Sequence, residues 1–180
     1  MSTGFKLRFP EADLEKWAAQ YDYPGEPELI AGPVARARER GYLEYSAFLA
    51  IAEWKSPRNR KRHASNAPEF VEEVTRVALA PGTSSRLAIE TLTLLAGVDW
   101  PTASVVLHFC HATPYPILDF RALWSLSRDV PARYTYPFFL EYSEFTRGLA
   151  QRSEVSMRIL DRALWKFSQV NQRPSQKMRK

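Results

Sequence analysis

Cysteine is almost absent: Cys110 stands alone among 180 residues. No intrachain disulfide framework can form, and a four-thiolate iron–sulfur cluster is excluded on the same count. Histidine is nearly as scarce, at three residues, and the cluster His108, Cys110 and His111 is the one that suggests a metal. On a helix, positions 108 and 110 lie about 200° apart and cannot share an ion, which leaves only a pair. No metal and no cofactor is expected. Apolar runs are short: none approaches the roughly 18 residues that span a bilayer, and the N-terminal stretch lacks the apolar core of a signal peptide. The expectation is a cytoplasmic, reduced protein with no membrane partner. The seven glycines build neither a P-loop nor a dinucleotide fingerprint, and no G-x-S-x-G elbow or H-E-x-x-H pair occurs. Acidic residues are outnumbered 20 to 25, giving a net charge of +5 and a pI near 9.4, a balance that favours an anionic partner.

What the chain does have is apolar and aromatic content, 45% and 13%, ample for a core in one domain or two intimately packed lobes. The apolar spacing is helical, with no alternating strand pattern and no internal repeat. Pro10-Glu11-Ala12-Asp13 opens a helix with Leu14, Trp17, Ala18 and Tyr21 on one face, closed by the Tyr-Pro-Gly-Glu-Pro run at 23–27. Helices are predicted next over Glu28–Arg40, ending at Gly41, then through Tyr45, Phe48, Leu49 and Ala52, then over Pro68–Leu79 through Phe70, Val74 and Val77, before the Pro81-Gly82 break. Later ones cover Asp119–Leu126, Pro137–Gln151 with Phe138, Tyr142, Phe145 and Leu149 inward, and Glu154–Gln169 with the seam Leu160, Ala163, Leu164, Phe167. The fold class expected is all-α, a two-lobed helical domain of about eight to nine helices over residues 1–170. Residues 171–180 carry four basic residues and no acid and read as a disordered tail.

Leu95–Asp119, LAGVDWPTASVVLHFCHATPYPILD, is the stretch the rest serves. Before it, Ser84-Ser85 caps a helix with Leu87, Thr91, Leu94 and Leu95 on one face, and Gly97 stops that helix. After it, Pro101 suits a first helical turn, and Ala103, Val106, Leu107 and Cys110 repeat at i, i+3, i+4, i+7. Two helices joined by a tight glycine turn make a helix-hairpin-helix over residues 84–110, whose turn offers backbone N–H groups beside a helix N-terminus to a phosphate. An ordinary αα-hairpin has the same local pattern.

Leu95-Ala96-Gly97-Val98-Asp99-Trp100-Pro101-Thr102-Ala103, followed by Tyr115-Pro116-Ile117-Leu118-Asp119, resembles the signature of the helix-hairpin-helix DNA glycosylases, L-x-G-[VI]-G-x-x-T-A with a Pro-containing approach to an essential aspartate. The resemblance covers Leu87 to Leu126, about a fifth of the chain. It implies that Asp119 is catalytic, stabilising an oxocarbenium-like sugar and assisting water, and that Gly97, Val98, Asp99, Trp100 and Thr102 line a DNA contact. Asp99 stands where the family has its second hairpin glycine, tolerating a left-handed conformation but bringing a negative charge. Pro101 stands where bifunctional members carry lysine, so amine attack on the sugar is not expected. Pro116 lies one residue farther from the aspartate than the commonest spacing. A small monofunctional enzyme without an iron–sulfur cluster is what this pattern implies.

Lys55-Ser56-Pro57-Arg58-Asn59-Arg60-Lys61-Arg62-His63 holds five positive charges and no acid. Such a run is commonly solvated surface, but beside a phosphate-binding hairpin Lys55, Arg58, Arg60, Lys61 and Arg62 become candidates for neutralising DNA phosphates. An extruded base needs flat surfaces to stack on, and Trp54, Tyr115 and Trp124 are the pocket candidates. Asp119 before Phe120, Ala122, Leu123 and Leu126 also reads as a helix N-cap, a role compatible with catalysis. The reading is therefore a monomeric DNA glycosylase that excises a damaged or modified base, in repair or in defence against modified viral DNA. A DNA-binding module whose Asp119 is only a cap and a protein-interaction domain with a solvated basic loop are the alternatives.

Overall fold

The computed structural model describes residues 4–173, and among these the regular elements are helical, with no strand. In chain order they are α1 (Leu14–Ala18), α2 (Glu26–Leu29), α3 (Ala35–Arg40), α4 (Tyr45–Lys55), α5 (Arg60–His63), α6 (Pro68–Leu79), α7 (Ser85–Leu92), α8 (Trp100–Cys110), α9 (Phe120–Ser125), α10 (Tyr136–Arg152) and α11 (Met157–Asn171). Most of the tail expected at 171–180 lies outside the described residues; Asn171 itself closes α11. The fold is all-α, and no described helix is long and apolar enough to cross a membrane.

Two compact units divide the chain, one formed by the N-terminal stretch to Asp22, by Asp119–Arg133 and by Glu144 onward, the other by Tyr23–Leu118 and Tyr134–Ser143. In the first, α11 is the centre, packed by α1 and α9. Its seam is the expected one: Leu160, Ala163 and Leu164 are buried, and the Phe167 ring meets Phe9 at 4.5 Å and Trp17 at 5.2 Å. Ser156 caps its start by accepting from the Ile159 N–H, a bond worth about 1 kcal/mol. The N-terminal stretch is tied to α9 through Lys6 N–H to Leu126 O and Arg8 N–H to Ser125 O, each at 2.9 Å. Burial pushes the Tyr21 hydroxyl up to about 12, where it accepts from Arg158 at 3.1 Å.

In the second unit α8 is the centre. Its expected apolar stripe proves too narrow, because Ser104 and Val105 are buried alongside Ala103, Val106, Leu107 and Cys110. Neighbours on several sides explain this: α3, α4, α6 and α7 all pack on it. The expected helix over Glu28–Arg40 begins two residues earlier, at Glu26, and widens to a π turn at Ile30–Val34. Pro33 inside that turn has no N–H to give to Leu29, and the wider turn absorbs the missing bond. Gly41, at φ 76°, ends α3 as expected.

Several inward faces are rotated from the expected ones. On α6 the buried positions are Val71, Val74, Thr75, Ala78 and Leu79, leaving Phe70 and Val77 exposed. On α7 they are Ala88, Ile89 and Leu92, leaving Leu87 exposed; past its end Leu94 is exposed, while Leu95 is buried as expected. α6 packs on α4, α7 and α8, and α7 on α6 and α8, so each buried stripe follows the lines between neighbours rather than the row of largest side chains. On α4, Ala47 and Ile51 join Phe48 and Ala52, and on α10 Phe139 is buried rather than Phe138.

Candidate functional site

Ser84 caps α7, accepting from the Leu87 N–H, but the α-helix ends at Leu92 and not at Gly97. From there Thr93, Leu94 and Leu95 N–H groups bond three residues back, to Glu90, Thr91 and Leu92, tightening the chain before the turn. Gly97 follows at φ 83°, the left-handed region that glycine enters without strain. A Cβ there would sit 2.6 Å from His63 Cδ2 and 3.0 Å from Arg62 Cβ, so only glycine fits. Asp99 is not left-handed but extended, at φ −107°, and it caps α8: Oδ1 accepts from the Thr102 N–H at 3.2 Å and from the Thr102 hydroxyl at 3.1 Å. Its own carboxylate thus meets the first-turn donors to which a phosphate would bind.

Of the other turn residues, Gly97, Val98 and Thr102 are buried, while Trp100 is half-buried with its ring 5.9 Å from Phe139. The turn carbonyls are occupied too. Asn59 Nδ2 donates to Gly97 O at 3.3 Å, His63 Nε2 lies 3.1 Å from the same oxygen, and Asn66 Nδ2 donates to Ala96 O at 3.1 Å. Because a carbonyl only accepts, Nε2 is the donor in the His63 contact. Asn66 Oδ1 also accepts from the Ala96 N–H, at 2.7 Å.

Those three side chains belong to the cationic segment and the turn that follows it; the segment is not an irregular loop but a 3₁₀ turn, Pro57–Asn59, running into α5. His63 is completely buried and Asn66 nearly so, while Arg58, Arg60, Lys61 and Arg62 are exposed and Lys55 is half-buried at the end of α4. Neutral polar residues therefore face the turn and the cations face outward. Arg60 pairs with Glu53 at 3.4 Å, an exposed contact worth little. Among the described residues no carboxylate within salt-bridge distance is shown for Arg58, Lys61 or Arg62.

The extended strap after α8 is held at three points. His108 Nδ1 lies 2.7 Å from Tyr115 O, the Tyr142 hydroxyl donates to Ile117 O at 2.8 Å, and the Ser104 hydroxyl accepts from the Leu118 N–H at 2.8 Å. Ser104 in turn donates to Pro101 O at 2.7 Å, which leaves this buried hydroxyl satisfied. In the other unit Asp119 is the N-cap of α9: its backbone is extended, and Oδ1 accepts from the Arg121 N–H at 2.8 Å.

The three pocket candidates are all drawn into packing. Tyr115 is buried, donates its hydroxyl to Ser85 at 3.0 Å and stacks on Phe139 at 6.0 Å. Trp54 meets Tyr23 and Phe109 edge-on, at 5.0 and 5.4 Å, and donates Nε1–H to Pro24 O. Trp124 stacks on Phe167 at 5.8 Å under the Arg8 guanidinium. Burial pushes the Cys110 thiol up to about 12, against the opposing Arg38 charge, which suits a core residue and not a nucleophile. No group of three or more His, Cys, Asp or Glu among the described residues could hold a metal ion.

Sequence reasoning missed Asn59, His63 and Asn66 as the residues that meet the turn. Part of a signal was present, because positions 59 and 63 fall at i and i+4, one face of a helix, with the cations Arg60, Lys61 and Arg62 between them, whereas Asn66 lies beyond α5 in the turn that follows. No protein-family model, no curated protein and no solved structure matches the chain.

Proposed function

We propose that the protein is a monofunctional DNA glycosylase of the helix-hairpin-helix kind, in a two-lobed helical fold, that binds DNA, extrudes a damaged or modified base and hydrolyses its N-glycosidic bond. The observation that carries the reading is the packing of the cationic segment against the glycine turn between α7 and α8. It gathers Arg58, Lys61 and Arg62 beside the one stretch of sequence that resembles a DNA-contacting hairpin. Since Asp99 fills the first turn of α8, the cations rather than the helix dipole supply the phosphate contacts in this account. Asp119 is assigned the chemistry: as a carboxylate it stabilises positive charge developing on the sugar and orients or deprotonates the attacking water. The Arg121 N–H bond to Oδ1 fixes the carboxylate for that task. The same bond favours a second reading, a DNA-binding module in which Asp119 is a cap and nothing more.

Pro101 in place of the lysine means that no amine is provided by the motif to attack the sugar. The expected product is an abasic site in an intact strand. Duplexes carrying damaged or modified bases should break only after hot alkali, and borohydride should trap no covalent protein–DNA adduct. A nick before alkali, or an adduct stable to reduction, would assign the attack to another amine, with Lys55 and Lys61 the first to test. DNA binding without any alkali-labile site would support the module.

A further inference from the structure

We infer that Asn59, His63 and Asn66 form a latch that sets the spacing between the α7–α8 turn and the cations of α5, and that this spacing, not the charges alone, determines how many phosphates the protein neutralises. The inference rests on the nucleic-acid reading above and names the positioning residues of that site. Asn66 is the centre of the latch. Its amide meets Ala96 with both ends, accepting from the N–H at 2.7 Å and donating to the carbonyl at 3.1 Å, while Nδ2 also reaches His63 O at 2.9 Å. Asn59 and His63 add two hydrogen bonds to Gly97 O, and the absent Cβ of Gly97 lets the His63 ring approach the backbone directly. These bonds join positions 30 to 38 residues apart and run from side chain to backbone, so they follow the position of the turn itself. The residues of the latch are interleaved with Arg58, Arg60, Lys61 and Arg62, each of which sits within two positions of Asn59 or His63 in the sequence. Any slip of α5 along the turn therefore carries the whole cationic array with it. Phosphates in DNA are regularly spaced, and cations register with them only if their own spacing is held.

The test separates a latch from simple stabilisation because these residues contribute no formal charge when His63 is neutral. Asn66→Ala, Asn59→Ala and His63→Ala remove hydrogen bonds to the turn and leave every lysine and arginine in place. His63→Gln restores a donor near the Nε2 position. Affinity for a short duplex is measured by fluorescence anisotropy over a series of salt concentrations, at temperatures where circular dichroism shows each variant fully folded. The expected result for Asn66→Ala is an affinity lower by at least about fivefold and a slope of log affinity against log salt shallower by about 0.9 for each phosphate no longer neutralised, with His63→Gln closer to the wild type than His63→Ala. Folded variants with the wild-type slope would overturn the latch and leave the nucleic-acid reading standing. A wild-type protein with no salt-dependent affinity would overturn that reading and the latch together. If Asn66→Ala does not fold, Asn59→Ala, which removes the longest of the hydrogen bonds to the turn, gives the decisive slope.

Discussion

Asp119→Asn is expected to lower base release by at least about 10²-fold, the scale of losing an essential acid–base group, while DNA affinity stays within a few-fold. The substitution suits the question because asparagine caps a helix about as well as aspartate. The Arg121 N–H keeps an acceptor, and α9 should keep its start. What changes is the negative charge, which in the proposed function acts on the developing oxocarbenium ion and not on phosphates. Single-turnover release of free base, measured beside thermal unfolding, reads the two roles separately. An Asn variant that retains more than about a tenth of the activity would remove Asp119 from the chemistry; one that unfolds early would make it structural.

Neutralising Arg58, Arg60, Lys61 and Arg62 together, each to glutamine, should weaken binding on every DNA sequence alike and flatten the salt dependence by about 0.9 for each phosphate released from neutralisation. Arg60 should contribute least, because Glu53 already lies 3.4 Å from it. None of the four side chains is buried and none belongs to the latch, so stability should change little. The check is an anisotropy titration at several salt concentrations. An unchanged slope would return the segment to solvated surface and remove the observation on which the proposed function stands.

The features behind these two expectations are unequally legible in the sequence. Helix boundaries are readable where a short polar side chain or a glycine marks them: Ser84 caps α7, Asp119 caps α9, and Gly41 ends α3. The α11 seam is readable because Leu160, Ala163, Leu164 and Phe167 repeat at helical spacing along the face that packs inward, and the apolar residue left exposed, Val170, lies in the last turn. The faces of α6 and α7 are not, since both stretches carry large apolar residues outward, Phe70, Val77, Leu87 and Leu94, and burial is decided by which neighbours meet across a line. The early end of α7 at Leu92 is hidden because tightened turns carry the chain on toward Gly97. In the site, Asp119 as a cap follows from its position, whereas the extended backbone of Asp99 departs from the left-handed form that the family glycine at its place suggests. The cationic run is conspicuous as charge, but its ordered, inward-facing side depends on Ala96 and Gly97 far along the chain and is set by tertiary packing.

The central claim, hydrolysis of the N-glycosidic bond, is tested most directly by incubating the wild-type protein with genomic DNAs of different modification states and identifying released bases by mass spectrometry. The account predicts that at least one DNA yields a free base in amounts matching new abasic sites, and that Asp119→Asn yields none above background. No released base from alkylated, deaminated or hypermodified DNA, by a protein that nevertheless binds each of them with a steep salt dependence, would contradict it and leave a DNA-binding module.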